Sequence, residues 1–79
     1  MTVHPTAPLR RSRSLTADLV QALGDRVREG SLTAGAKLPP EGAIMEEFGV
    51  SRTVVREAIS RLQAAGMVET RHGVGTFVL

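Results

Sequence analysis

Cysteine is absent from the 79 residues, so neither disulfides nor thiolate zinc ligands can staple the fold. That composition suits the reducing cytoplasm, the expected location. Tryptophan and tyrosine are absent too, leaving Phe48 and Phe77 as the aromatics. Modules that bind single strands stack bases on exposed aromatic platforms. Both phenylalanines sit in apolar contexts and read as core, which disfavours single-strand binding. No apolar run approaches the roughly 20 residues of a membrane span, and the head lacks the apolar stretch of a signal peptide, so no membrane role is expected. The two histidines, His4 and His72, lie far apart and suggest no metal site. No nucleophile stands beside a base, and Ser51 is better explained as a helix cap than as a nucleophile. No phosphate-cradling glycine pattern follows a strand, and a chain of this size has little room for a substrate pocket. An enzyme is not expected, nor a cofactor in this chain.

What is present is a graded charge. The net charge is only +2, but its distribution is uneven. Residues 1–13 carry +3, from Arg10, Arg11 and Arg13. Residues 14–50 carry −3 and residues 51–79 carry +2. Basic ends around an acidic middle fit one DNA-facing surface better than uniform stickiness. Residues 1–13 contain two prolines and few apolar side chains. They read as a flexible basic arm adding a diffuse electrostatic contribution. Residues 14–79 are expected to form one small domain.

Within that domain Leu15, Leu19, Leu23 and Val27 recur every four residues, which predicts a first helix over 15–29 capped by Ser14 or Thr16. Ala36-Lys37-Leu38 suits a short strand. Pro39-Pro40 forces extended backbone and pre-sets a helix start, predicting a second helix from Glu41 to Phe48, with Gly49 as its left-handed stop. Ser51 is a good N-cap for a third helix over about 52–65, whose apolar stripe is Val55, Ala58, Ile59 and Leu62. Met67 to Thr70 and Thr76 to Leu79 read as two strands around a turn with Gly73 and Gly75. An isolated hairpin is marginal, so it must pack on the helices. The expected fold is mainly α with a small β-hairpin: a winged helix-turn-helix of three helices plus a wing.

On the third helix, with Val55 at the centre of the buried side, Thr53, Arg56, Ser60 and Gln63 turn towards solvent, and Arg52 occupies the first turn. That end also offers unpaired backbone N–H groups to a phosphate. The major groove admits one helix, and arginine can make two hydrogen bonds to guanine. A solvated helix face, with Glu57 paired to Arg61 one turn on, explains the same charges. At the hairpin tip Gly73 allows close backbone approach, and Arg71 and His72 suit a narrow minor groove. An ordinary exposed turn explains the tip equally. The candidate DNA-binding residues are therefore Ser51, Arg52, Thr53, Val54, Arg56, Ser60, Arg71, His72 and Gly73. A winged helix used only for protein contact is the alternative, and it would need an exposed apolar patch.

The segments Lys37 to Glu41, Phe48 to Ile59, Leu62, Gly66 to Glu69 and Gly73 to Val78 closely resemble the GntR family of bacterial repressors, and look most like its FadR-type branch. The similarity runs over residues 15–79 with order and spacing intact. It implies a repressor that binds a palindromic operator on double-stranded DNA as a homodimer. By that resemblance Arg52, Thr53 and Arg56 contact the operator, and His72 and Gly73 lie at the wing tip in the minor groove. It also implies a further C-terminal domain, outside this chain, that dimerises and takes an effector metabolite, with or without a metal. Three positions depart from the family pattern. Gly42 stands where a DNA-contacting arginine is common, Pro40 where a capping serine is frequent, and Val54 where threonine or proline is usual.

Overall fold

A computed structural model describes the backbone of residues 7–79 and the side chains from Leu15 onward. The first six residues, part of the expected arm, lie outside the described residues, as do the side chains of Arg10, Arg11 and Arg13. The elements run α1 (Ala7–Glu29), α2 (Glu41–Phe48), α3 (Arg52–Ala64), β1 (Val68–Arg71) and β2 (Gly75–Val78).

α1 begins eight residues before the expected start at Leu15. Alanine, leucine and arginine between positions 7 and 13 are good helix formers, and Pro8 falls in the first turn, where its missing N–H costs nothing. Ser14 and Thr16 are therefore interior residues and not caps. The buried stripe also shifts by one position: Leu15 is 40% exposed while Thr16 is 3% exposed. The 3.6-residue period through Leu19 and Leu23 passes through Thr16. Its hydroxyl donates to the Glu57 carboxylate at 3.1 Å, which joins α1 to α3. Glu57 thus takes a partner on another helix, not Arg61.

α2 starts where the double proline places it. Pro40 occupies the cap position with no side-chain cap bond, and its carbonyl accepts from Ala43 and Ile44 at 3.0 and 3.1 Å. Gly49 closes α2 at φ 64, the left-handed region that favours glycine. α3 opens two residues later on Ser51, whose hydroxyl accepts from the Val54 N–H at 3.2 Å.

The core gathers Leu19 and Leu23 from α1, Leu38 from the connector, Ile44 from α2, Val55, Ala58 and Leu62 from α3, and Val68 and Val78 from the hairpin. The phenylalanines are half-buried, not enclosed as expected. Each carries an arginine on its outer face: Arg26 lies 5.0 Å above Phe48, and Arg71 lies 4.7 Å above Phe77. Guanidinium stacking lets a ring finish at the surface without exposing its face. Arg26 also pairs with Glu47 and ties α1 to α2. That hydrogen bond holds the Glu47 carboxyl below its ordinary range and raises Arg26. Glu47 is therefore engaged with α1.

β1 and β2 pair antiparallel, from Val68 with Val78 to Arg71 with Gly75. The connector joins them on the far side. Gly35 N–H donates to Val78, Leu38 N–H to Thr76, and Val78 N–H to Ala36, each at 2.8 Å. The expected short strand at 36–38 appears as a bridge between Lys37 and Phe77. The hairpin is thereby anchored at its root while its turn projects.

Candidate nucleic-acid interface

α3 places its side chains on two clean sides. Val55, Ala58 and Leu62 face inward, while Arg52, Thr53, Arg56, Ser60 and Gln63 are exposed. Ser51 is exposed at the cap, and Val54 is half-buried against the core. Of the nine candidate residues, Val54 is thus the one whose side chain is largely committed to packing. The turn at the hairpin tip exposes Arg71, His72 and Gly73.

Between these two features runs an open groove of about 800 Å³. Arg56, Ser60 and Gln63 of α3 form one wall, the hairpin from Thr70 to Thr76 forms the other, and residues 37–41 form the floor. The groove joins Arg56, Ser60, Arg71, His72 and Gly73. Ser51, Arg52, Thr53 and Val54 lie outside its lining, at the α3 N-terminus.

The arginines are not idle. Arg52 Nη1 donates to Glu41 Oε1 at 3.2 Å. Arg56 Nε donates to the two carboxylate oxygens of the same Glu41 at 3.4 and 3.3 Å. Arg71 Nε donates to Glu69 at 2.9 Å while its guanidinium covers Phe77. Exposed ion pairs of this kind contribute little to stability, so each can exchange its carboxylate for another anion at small cost. Lys37 extends along the groove floor, and its stem lies where a side chain on Gly75 would fall.

Sequence reading missed Glu41 as a partner of both arginines, and it left Gln63 and Lys37 out of the candidate set. The signal for Glu41 was its place in the first turn after two prolines, opposite a cationic helix face. That pairing depends on how α2 crosses α3, which periodicity does not encode. Among the described residues no three histidine, aspartate or glutamate side chains gather as a cation site, and no helix is long and apolar enough to cross a membrane.

The model of the bacterial regulatory proteins of the gntR family matches residues 15–78. The chain belongs to the GntR family. It is 46% identical over 74 residues to the Exu regulon transcriptional regulator of Escherichia coli K12, covering 94% of this chain and 27% of that protein. It is 44% identical over 59 residues to the Uxu operon regulator of Haemophilus influenzae, covering 75% of this chain and 22% of that one. The chain thus spans about a quarter of the length of such GntR relatives. Among solved structures, the AraR DNA-binding domain in complex with operator ORR3 superposes with a TM-score of 0.80 at 32% identity, over 82% of this chain and 78% of that one. A putative GntR-family transcriptional regulator superposes at 0.76 with 39% identity, over 81% and 25% of the two chains. Three helices followed by an antiparallel hairpin, in this order, make the domain a winged helix-turn-helix, as expected.

Proposed function

We propose that the chain is the DNA-binding domain of a bacterial transcriptional regulator, and that it reads duplex operator DNA with the outer side of α3 and the hairpin turn. One observation carries this reading. Arg52, Thr53, Arg56 and Ser60 share the exposed side of a capped helix whose opposite side is closed into the core. A rigid helix with a polar outer face is what the major groove admits. The likeness to the AraR domain on its operator supports the same use of the fold here.

In this reading Arg56 presents its guanidinium to a guanine edge. Thr53 meets a phosphate or a thymine methyl. The first turn of α3, with Arg52 beside it, receives a phosphate on its backbone N–H groups. Arg71, His72 and Gly73 enter the flanking minor groove. Lys37 contributes a phosphate contact and hence mainly salt dependence. Gly42 adds no cation to α2, so the operator differs from those read by relatives with arginine there. The full-length protein acts in the cytoplasm as a homodimeric repressor of the FadR-type branch on a palindromic site, released or recruited by a metabolite bound outside this chain.

The rival reading, a protein-contact module, needs an apolar outer patch. Among the described residues the large exposed apolar side chains are Leu15, Val74 and Leu79, and none lies on α3. The deciding experiment selects binding sites from random duplexes and compares the parent with Arg56→Ala. Specific affinity falls by about 1–3 kcal/mol, roughly 5- to 150-fold. Equal binding of the selected duplex by both proteins removes Arg56 from the interface.

A further inference from the structure

We propose that Glu41 is the positioning residue of the recognition surface: its carboxylate orients Arg56 and Arg52 before DNA arrives and makes the domain selective as well as adhesive. The inference rests on the duplex-reading function proposed above and names the group that sets its discrimination.

Arg52 and Arg56 stand one turn apart on α3 and carry like charges, which repel at this spacing. Left to themselves, two long exposed cations sample many rotamers and attach to any phosphate. Glu41 changes both behaviours. Its backbone is fixed by the stiff Pro39-Pro40 pair immediately before it, and its side chain is only 33% exposed. From there it takes Arg52 through Nη1 and Arg56 through Nε. The edge used on Arg56 matters. Only Nε of Arg56 donates to the carboxylate, so the outer Nη1–Nη2 edge of the planar guanidinium stays free of Glu41, and that edge forms two parallel hydrogen bonds with guanine O6 and N7. The carboxylate therefore orients the reading edge of Arg56 without occupying it. It also places one negative charge beside the two cations, which weakens their attraction to phosphate at every DNA sequence alike. Ordered arginines and a discounted phosphate attraction both raise the ratio of specific to non-specific binding.

The test compares the parent, Glu41→Ala, Glu41→Gln and Glu46→Ala. Glu46 lies exposed on the same helix and contacts neither arginine, so its variant removes a charge without touching the proposed device. Each protein is titrated with its selected duplex and with a scrambled duplex at one fixed salt concentration. Arginine Nε–H resonances are recorded in the free protein, and melting curves check that all four fold. In both Glu41 variants the scrambled duplex binds more tightly, and the specific-to-scrambled ratio falls by about tenfold, within the range one oriented arginine contributes. The Arg56 Nε–H resonance shifts and exchanges faster with solvent. Glu46→Ala tightens both duplexes equally and keeps the ratio. A Glu41→Ala ratio within about twofold of the parent, an unmoved Arg56 resonance, or an equal loss of ratio in Glu46→Ala overturns the proposal. A parent that fails to distinguish the two duplexes overturns the DNA reading itself, and the inference with it.

Discussion

Replacing Gly75 with alanine isolates a backbone constraint where the wing's turn enters β2. Gly75 sits at φ 148, where L side chains are strained, and holding a residue in such a region costs about 1–3 kcal/mol. An added Cβ also falls 2.5 Å from Lys37 Cε. Lysine is flexible and exposed here, so it moves aside cheaply, and the backbone term dominates. A domain of this size is stable by roughly 4–12 kcal/mol, which makes the loss a large fraction. Each kcal/mol shifts the melting temperature of such a domain by about 4–8 °C, so Gly75→Ala melts roughly 5–20 °C below the parent when followed by circular dichroism. Combining it with Lys37→Ala separates the two terms. If strain dominates, the second change recovers less than about 0.5 kcal/mol. A melting point for Gly75→Ala within about two degrees of the parent refutes the assignment of strain, and full recovery in the double variant transfers the effect to Lys37.

Gly42 behaves oppositely. It lies in α2 with open space around an added Cβ, so Gly42→Ala raises stability by about 0.5–1 kcal/mol, and an unchanged or lower melting point counts against that account. Ser51→Ala removes the hydroxyl that caps α3 and costs about 1 kcal/mol by denaturant titration; it also weakens duplex binding, because the same helix end carries Arg52 and Thr53. Arg26 depresses the Glu47 carboxyl below its ordinary value of 4.5, so the pair's contribution is complete above about pH 4.5 and lost as pH falls through the lower folded value. Thermal melts from about pH 6 down to pH 3 therefore decline less steeply for Glu47→Gln than for the parent, and identical profiles remove the pair from the acid response.

The two short helices and the hairpin were legible because local signals agree with global packing. Pro39-Pro40, Gly49 and Ser51 punctuate the chain, and the stripe from Val55 to Leu62 fixes which side of α3 turns inward. The outward residues followed from that geometry alone. The start of α1 was not legible, since its first turns carry arginines with no apolar period. Thr16 reads locally as a cap, and only the crossing of α1 over α3 turns its hydroxyl toward Glu57. The rings of Phe48 and Phe77 read as core on hydrophobicity alone, yet arginines from elsewhere in the chain cover them. Glu41 is the clearest case. Its chemistry was plain, but its partners are set by the angle between two helices and by side-chain rotamers, neither of which has a sequence period.

The pairing of β2 on both flanks governs how the molecule meets copies of itself. A hairpin normally offers its margins to any passing strand. Here β2 is interior, because the segment from Gly35 to Leu38 takes its second row of hydrogen bonds. That segment runs straight into Pro39 and Pro40, which have no N–H to donate. The opposite margin, β1, carries the charged side chains of Glu69 and Arg71. One border of the small sheet thus ends in prolines and the other in charge, so the wing resists edge-to-edge stacking into fibrils at high concentration.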